Sequence, residues 1–301
     1  MKRRIKQLAV IAFAFAIGSK PVMASDMSVT NIPNELIVAL KDQAALEAQA
    51  ALNAQAAAQA AILQQQLLLQ QQMEQQAKLQ AIQEQQNQQM VLQDLQREAL
   101  INMWFADAGF VGNSVSVGLK SYFNSKGKEY LSNPKVIATV SYSFQNDKKG
   151  KPKFRLSYNG FTGEAKDVIA RSGIKKAFIN MGTNDLFSGV NTTYDRYVEY
   201  VNGIRAANPG IMIFIEATTP VYLEKEKGAL TNENVDKLNA LMKTYCDANP
   251  DMFFIDINTP LKDKSGGLNP AYSSDKYVHV NNAGYKVWID TVVAAVGGSQ
   301  L

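Results

Sequence analysis

Three short stretches hold the side chains whose types and spacing could do chemistry. The first, Phe110-Val111-Gly112-Asn113-Ser114-Val115-Ser116-Val117-Gly118-Leu119, reads as the end of a buried strand, a tight turn carrying a serine, and the first turn of a helix. A serine held there lies near the partly positive helix N-terminus, where a developing oxyanion is stabilised. The plainer role for Ser114 is to cap that helix. The second stretch, Met181-Gly182-Thr183-Asn184-Asp185-Leu186, directly follows an apolar run from Lys176 to Met181. Asp185 in it reads as structural, a hydrogen-bonding partner for its own loop. The third, Ser274-Asp275-Lys276-Tyr277-Val278-His279-Val280, sets a carboxylate four residues before His279, the only histidine in the chain.

These stretches need a scaffold that brings them together, and the order of elements supplies one. From about Trp104 to Leu301 the composition is that of one globular domain of about 200 residues. Strands are predicted over Ala108–Val111, 136–144, 153–158, Lys176–Met181, Ile211–Glu216 and Met252–Ile257. Helices are predicted over 115–124, 165–171, 194–207, 232–249 and 283–296. Strand and helix in alternation predict a three-layer α/β/α domain with a parallel central sheet, flavodoxin-like in its layering. In such sheets, sites form beyond the carboxyl ends of the strands. The first two stretches sit at such ends and the third just before the last helix, so a serine, an amide and a carboxylate–histidine pair converge.

In the order and spacing of these blocks the domain resembles the SGNH (GDSL-type) hydrolases, over roughly residues 105 to 296. The tail Tyr277-Val278-His279…Ala283-Gly284-Tyr285…Trp288, and Thr218-Thr219-Pro220 after its strand, fit the same pattern. The resemblance implies that Ser114 is a nucleophile, that His279 takes its proton and returns it to the leaving alcohol, and that Asp275 orients the imidazole. It also implies an oxyanion hole made by the Ser114 N–H, the Asn184 side chain and a backbone donor at Gly163. Three features depart from the pattern. Asn113 stands where the family has aspartate. Asp275 lies four residues before His279 rather than three, which leaves a backbone carbonyl as the alternative orienting group. If the chain between Val136 and Tyr158 is a hairpin insertion, the second backbone donor lies near Ser141 instead of Gly163.

The chain ahead of the domain carries no chemistry of its own. Lys2, Arg3, Arg4 and Lys6 precede an apolar run from Leu8 to Gly18, and Pro21-Val22-Met23-Ala24 offers a cleavage site, so residues 1–24 read as a signal peptide. Its removal takes away five cations, Lys20 included, and no acid, turning the formal charge of +4 into −1. Nothing then points to nucleic acid as a partner. Cys246 is the only cysteine, so no intramolecular disulfide can form, and no metal-ligand cluster or cofactor motif stands out. Residues 25–34 read as a linker and 35–103 as an Ala/Gln-rich helical stalk, free of Gly and Pro from Glu35 to Leu100. As one helix that span would run to roughly 100 Å at 1.5 Å per residue. Its heptads are poorly kept, which leaves a self-associating coiled coil and a partly helical low-complexity stalk both open.

The expectation is an exported serine esterase (secreted, periplasmic or at the cell surface) without cofactor. Its substrate is an acylated small molecule or polysaccharide, such as an O-acetylated surface glycan. Two other readings stand beside it: a surface scaffold that works through its stalk and carries an inactive domain, and an acyltransferase using the same residues.

Overall fold

The computed structural model describes residues 33–299; the expected signal segment and the start of the linker lie outside the described residues. The described chain divides into two compact units, one ending at Gln86 and one beginning at Asn87. The first element, α1 (Asn34–Phe105), is one helix of 72 residues. Ala, Gln and Leu all have high helix propensity, and side-chain bonds one turn apart, such as Gln43 to Glu47 at 3.1 Å, add local support. Every side chain from Pro33 to Leu100 is exposed. The consecutive Leu67, Leu68 and Leu69 point in directions about 100° apart, so the apolar residues form no single seam.

The second unit holds a five-stranded parallel sheet of order β2-β1-β5-β6-β7, made of β1 (Ala108–Gly112), β2 (Lys135–Ala138), β5 (Lys176–Asn180), β6 (Met212–Glu216) and β7 (Met252–Ile255). A small antiparallel pair, β3 (Leu156–Tyr158) and β4 (Phe161–Gly163), forms a separate sheet. The helices are α2 (Ser114–Lys126), α3 (Phe144–Lys149), α4 (Ala165–Ser172), α5 (Val190–Ala207), α6 (Asn232–Asp247), the short α7 (Asn258–Leu261) and α8 (Asn282–Ser299). Parallel strands buried on both faces read as near-continuous apolar runs, and β1, β5 and β6 follow this apart from Lys176, Asn180 and Glu216 at strand ends.

Strand alternation divides those residues between two cores. On one face Phe110, Phe178, Phe214 and Phe253 stack from strand to strand at 4.7 to 4.9 Å between ring centres. Val115 and Leu119 of α2 and Trp288, Ile289 and Val292 of α8 cover them. Trp104 and Phe105, at the end of α1, join this ladder, each with its ring centre within 6 Å of Phe178. On the other face Val111, Ile179, Ile213 and Ile215 meet Ile169, Tyr197, Val201, Leu238 and Met242 from α4, α5 and α6. Each such fully buried side chain contributes about 1.5–3 kcal/mol.

Two strand expectations are corrected. The stretch 136–144 stays in the sheet only to Ala138. Ser141 then takes the left-handed conformation (φ 59°), and Ser143 caps α3 by accepting from the Asn146 N–H at 3.1 Å. In the stretch 153–158 only Leu156–Tyr158 is strand. It pairs with β4 across Asn159-Gly160, both at positive φ as a two-residue hairpin turn demands. The hairpin is therefore 156–163, not an insertion over 136–158.

Candidate active site

Strand β1 ends at Gly112, where no side chain fits. An added Cβ would lie 2.2 Å from the Ser116 Oγ and 2.6 Å from the Asn180 carbonyl oxygen. Buried Asn113 caps α2, its Oδ1 accepting from the Val115 N–H at 2.9 Å. That capping bond is the role a short acceptor is suited to, and asparagine performs it without charge. Ser114 is thereby fixed as the first residue of a 13-residue helix, its own N–H among those without an intrahelical acceptor.

The third stretch arrives on the other side of the hydroxyl. The Ser114 Oγ lies 2.9 Å from the His279 Nε2, and the His279 Nδ1 lies 2.5 Å from the Asp275 Oδ2. A carboxylate can only accept, so Nδ1 carries the proton and Nε2 is left as the acceptor for the serine O–H. Asp275 is itself oriented: its Oδ1 accepts from the Tyr277 N–H at 2.8 Å and from the His279 N–H at 3.2 Å. Partial burial pushes the Asp275 carboxyl upward, but the ring N–H of His279 and these two backbone N–H groups outweigh it and hold the pKa below the ordinary value. The side chains of His279 and Asp275 remain 38% and 34% exposed, so a substrate can reach the pair from solvent.

The second stretch follows β5. Gly182 (φ 110°) brings the backbone against Thr218 and Leu238, where an added Cβ would lie 2.6 and 2.8 Å from their side chains. The turn presents Asn184, whose Nδ2 donates one hydrogen to the Tyr142 carbonyl at 2.9 Å and retains a second. Asp185 is buried and accepts from the Phe144 N–H at 2.9 Å, tying this turn to α3; burial raises its pKa to about 7.

The structure thus brings Ser114, His279 and Asp275 into one hydrogen-bonded line. Gly163 ends β4, paired with Leu156. The segment between is the turn after β2, where the Thr139 N–H donates to the Gly112 carbonyl at 3.2 Å and the Thr139 Oγ1 to the Arg155 carbonyl at 3.1 Å. Of the two backbone donors left open by the sequence, Ser141 lies between Thr139, which bonds Gly112, and Tyr142, which bonds Asn184, and Gly163 lies in the separate β3–β4 pair.

Two supporting residues carried no role in the sequence reading. The Tyr285 hydroxyl of α8 donates to the Val115 carbonyl at 2.7 Å, linking the helix that follows His279 to the helix that begins at Ser114. Gly118 is what lets it approach, because a Cβ there would fall 2.0 Å from that hydroxyl. Glu216 ends β6 almost fully buried and accepts from the Trp288 Nε1–H at 2.8 Å; burial raises its pKa to about 8. A lone acid closing an apolar strand was the only sequence signal for it.

The profile of the GDSL-like lipase/acylhydrolase family matches residues 110–287, more than half of the chain. Among solved structures, one from Bacteroides fragilis, provisionally named an acylhydrolase, is 19% identical and covers 64% of this chain and 86% of its own, with a TM-score of 0.50. A GDSL-like lipase from Bacteroides thetaiotaomicron is 17% identical, covers 68% and 97%, and has a TM-score of 0.48. The C-terminal catalytic domain of peptidoglycan O-acetyltransferase A from Streptococcus pneumoniae is 17% identical, covers 64% and 93%, and has a TM-score of 0.45. No curated protein matches. At 19% identity the Bacteroides fragilis structure speaks for the fold alone. The family profile spans the serine turn, the asparagine turn and the histidine segment in one match, and the chain belongs to the GDSL-like lipase/acylhydrolase family of ester hydrolases.

Proposed function

We propose that this chain is an exported serine esterase working through an acyl-enzyme on Ser114. The observation that carries the reading is the 2.9 Å contact between the Ser114 Oγ and the His279 Nε2. In the first step Oγ attacks the ester carbonyl while Nε2 takes its proton. The oxyanion is met by the Ser114 N–H, the second Nδ2 hydrogen of Asn184 and a backbone N–H at Ser141, which we favour over Gly163. Asp275 stabilises the imidazolium and fixes its tautomer. The intermediate then expels the alcohol, which receives the proton from Nε2. Water attacks the acyl-enzyme with Nε2 again taking the proton, and collapse releases the acid and returns that proton to Ser114.

Export rests on residues 1–24, and an exported esterase meets acyl esters of surface carbohydrates as its natural substrate class. The experiment is hydrolysis of p-nitrophenyl esters by the purified chain, expected to be lost in both Ser114→Ala and His279→Ala. Full turnover in Ser114→Ala refutes the mechanism.

The long helix favours a second role beside catalysis. Leu46, Leu63 and Leu79 are 72%, 69% and 67% exposed, and the 26 residues from Ala48 to Met73 contain no charged side chain. Apolar side chains on all sides of an uncharged helix favour association with further copies of α1 in a bundle. Sedimentation of the chain with and without residues 35–86 tests this: an unchanged monomeric mass removes it.

A further inference from the structure

Outside α1, the described residues expose three large apolar side chains: Val140 at 59%, Phe187 at 55% and Leu223 at 45%. One exposed apolar residue is ordinary on any surface. These three, however, share a place. They follow β2, β5 and β6 respectively, so all leave the sheet at the edge where Ser114 leaves β1. In the strand order, β2 and β5 are the two neighbours of β1, which sets Val140 and Phe187 on opposite sides of the nucleophile's strand. Val140 is next to Thr139, which is bonded to Gly112, and Phe187 is three residues beyond Asn184. The Phe187 ring faces Gly228, where even an added Cβ would lie 3.9 Å away, and the residue is 55% exposed. Leu223 differs: its loop is held to the histidine's segment, the Tyr222 N–H donating to the Tyr277 carbonyl at 2.7 Å.

We propose that Val140 and Phe187 form the seat of the substrate's acyl chain, and that the preferred substrates are esters of unbranched apolar acids longer than acetate. The inference rests on the esterase reading above and replaces the O-acetyl ester that the sequence suggested as an example of its substrate. Three substituents surround the reacting carbon, and two already have places. The carbonyl oxygen turns to the donors of Ser114, Asn184 and Ser141. The alcohol turns to His279, which protonates it, on the side of Leu223. The acyl chain is left to run past the oxyanion donors, and Val140 and Phe187 stand on the same two turns as those donors. Neither has a polar atom to offer a sugar hydroxyl, whereas both present hydrocarbon that an alkyl chain covers. An acetyl group ends one carbon past the carbonyl and gains nothing from a seat that begins beyond the donors.

The test is kcat/KM of the full chain on p-nitrophenyl esters from acetate to octanoate. A fully buried methylene is worth about fourfold; on a half-open seat, the octanoate-to-acetate ratio is expected to be roughly tenfold or more. Val140→Ser and Phe187→Ser are each expected to lower that ratio about fivefold, and Leu223→Ser to keep it. The rates at which alkyl fluorophosphonates of rising chain length label Ser114 give the same comparison without a deacylation step. A flat ratio in the unaltered chain, an unchanged ratio in both seat variants, or an equal fall in Leu223→Ser overturns the seat. If Ser114 is labelled while the ratio is flat, the seat alone fails. If no ester is turned over and Ser114 stays unlabelled, the esterase reading fails, and the seat with it.

Discussion

In the proposed mechanism, the contact between Gly118 and Tyr285 holds His279, the base, in register with Ser114, the nucleophile. Gly118→Ala tests this directly. The ideal Cβ falls 2.0 Å from the Tyr285 hydroxyl oxygen and 2.6 Å from the ring carbon that bears it, and real Cβ contacts do not fall below 3.0 Å. Either α2 and α8 separate by about 1 Å or the ring leaves its site. Tyr285 lies six residues after His279 and Val115 one after Ser114. Passed on in full, that shift stretches the 2.9 Å contact between Oγ and Nε2 beyond hydrogen-bonding range. Misplacement by about 1 Å costs on the order of 10²-fold in rate, or about 2.7 kcal/mol at 1.36 kcal/mol per decade. Within a helix, alanine is better than glycine by about 1 kcal/mol, which offsets part of the strain. The expected outcome is a kcat lower by about 100-fold on p-nitrophenyl esters, with KM changed less than threefold and the melting temperature within a few degrees. Tyr285→Phe keeps the ring and removes only the bond to Val115, about 1 kcal/mol, so its fall in kcat is smaller, about three- to tenfold. A Gly118→Ala enzyme with undiminished kcat refutes the reasoning, because the two helices would then not set the catalytic distance.

Three further outcomes are expected. Asp275→Asn lowers kcat by 10³-fold or more on the same esters, because an amide can hold His279 in the wrong tautomer; the roughly 10⁴-fold loss in the analogous serine protease change sets the scale. Asn184→Ala lowers kcat by about 10²-fold with little change in KM, since its free hydrogen acts on charge that develops only in the transition state. Glu216→Gln flattens the pH dependence of stability. The Glu216 pKa is raised to about 8 by burial, so its stabilising contribution is complete below the ordinary glutamate pKa and is lost as pH rises toward 8. Each pH unit in that window costs about 1.4 kcal/mol. Chemical denaturation at pH 5 and pH 8 should therefore show a larger fall for the parent chain than for the variant, by up to about 4 kcal/mol. Parallel pH profiles would falsify this account of Glu216.

Much of the fold was legible because parallel strands covered on both sides carry apolar runs, as in Ala177-Phe178-Ile179 and Met212-Ile213-Phe214-Ile215. The region 136–158 was misread for a physical reason. Val136 to Phe144 has strand composition, but the chain reverses at Ser141, where a serine occupies a backbone conformation that usually selects glycine or asparagine. Nothing in the residue type announces that turn. The signal that was present lies just after it: Ser143, a capping residue type, with the acidic Asp147 in the first turn that follows, a start for α3 that the apolar pattern masked. Reading past that helix start kept Gly163 and Ser141 both open as the backbone donor.

The displaced acid shows how spacing and geometry part company. Counting along the chain, Asp275 is one residue too far from His279, and a departure of that kind weakens a motif. The chain absorbs the extra residue at Lys276, which takes the left-handed conformation (φ 53°) and shortens the path between carboxylate and ring. The turn is closed by its own groups. Asp275 accepts from the Tyr277 and His279 N–H groups, the Ser274 N–H donates to the His279 carbonyl at 2.9 Å, and Ser273 bridges to Val280. A left-handed residue other than glycine costs about 1–2 kcal/mol, and these bonds offset it locally. The acid therefore does two things at once: one oxygen orients the imidazole and the other folds the loop that carries it. A change that removes the carboxylate alters the base's position as well as its charge, so Asp275→Ala should lose more activity than Asp275→Asn, whose amide oxygen can still accept from the two backbone groups.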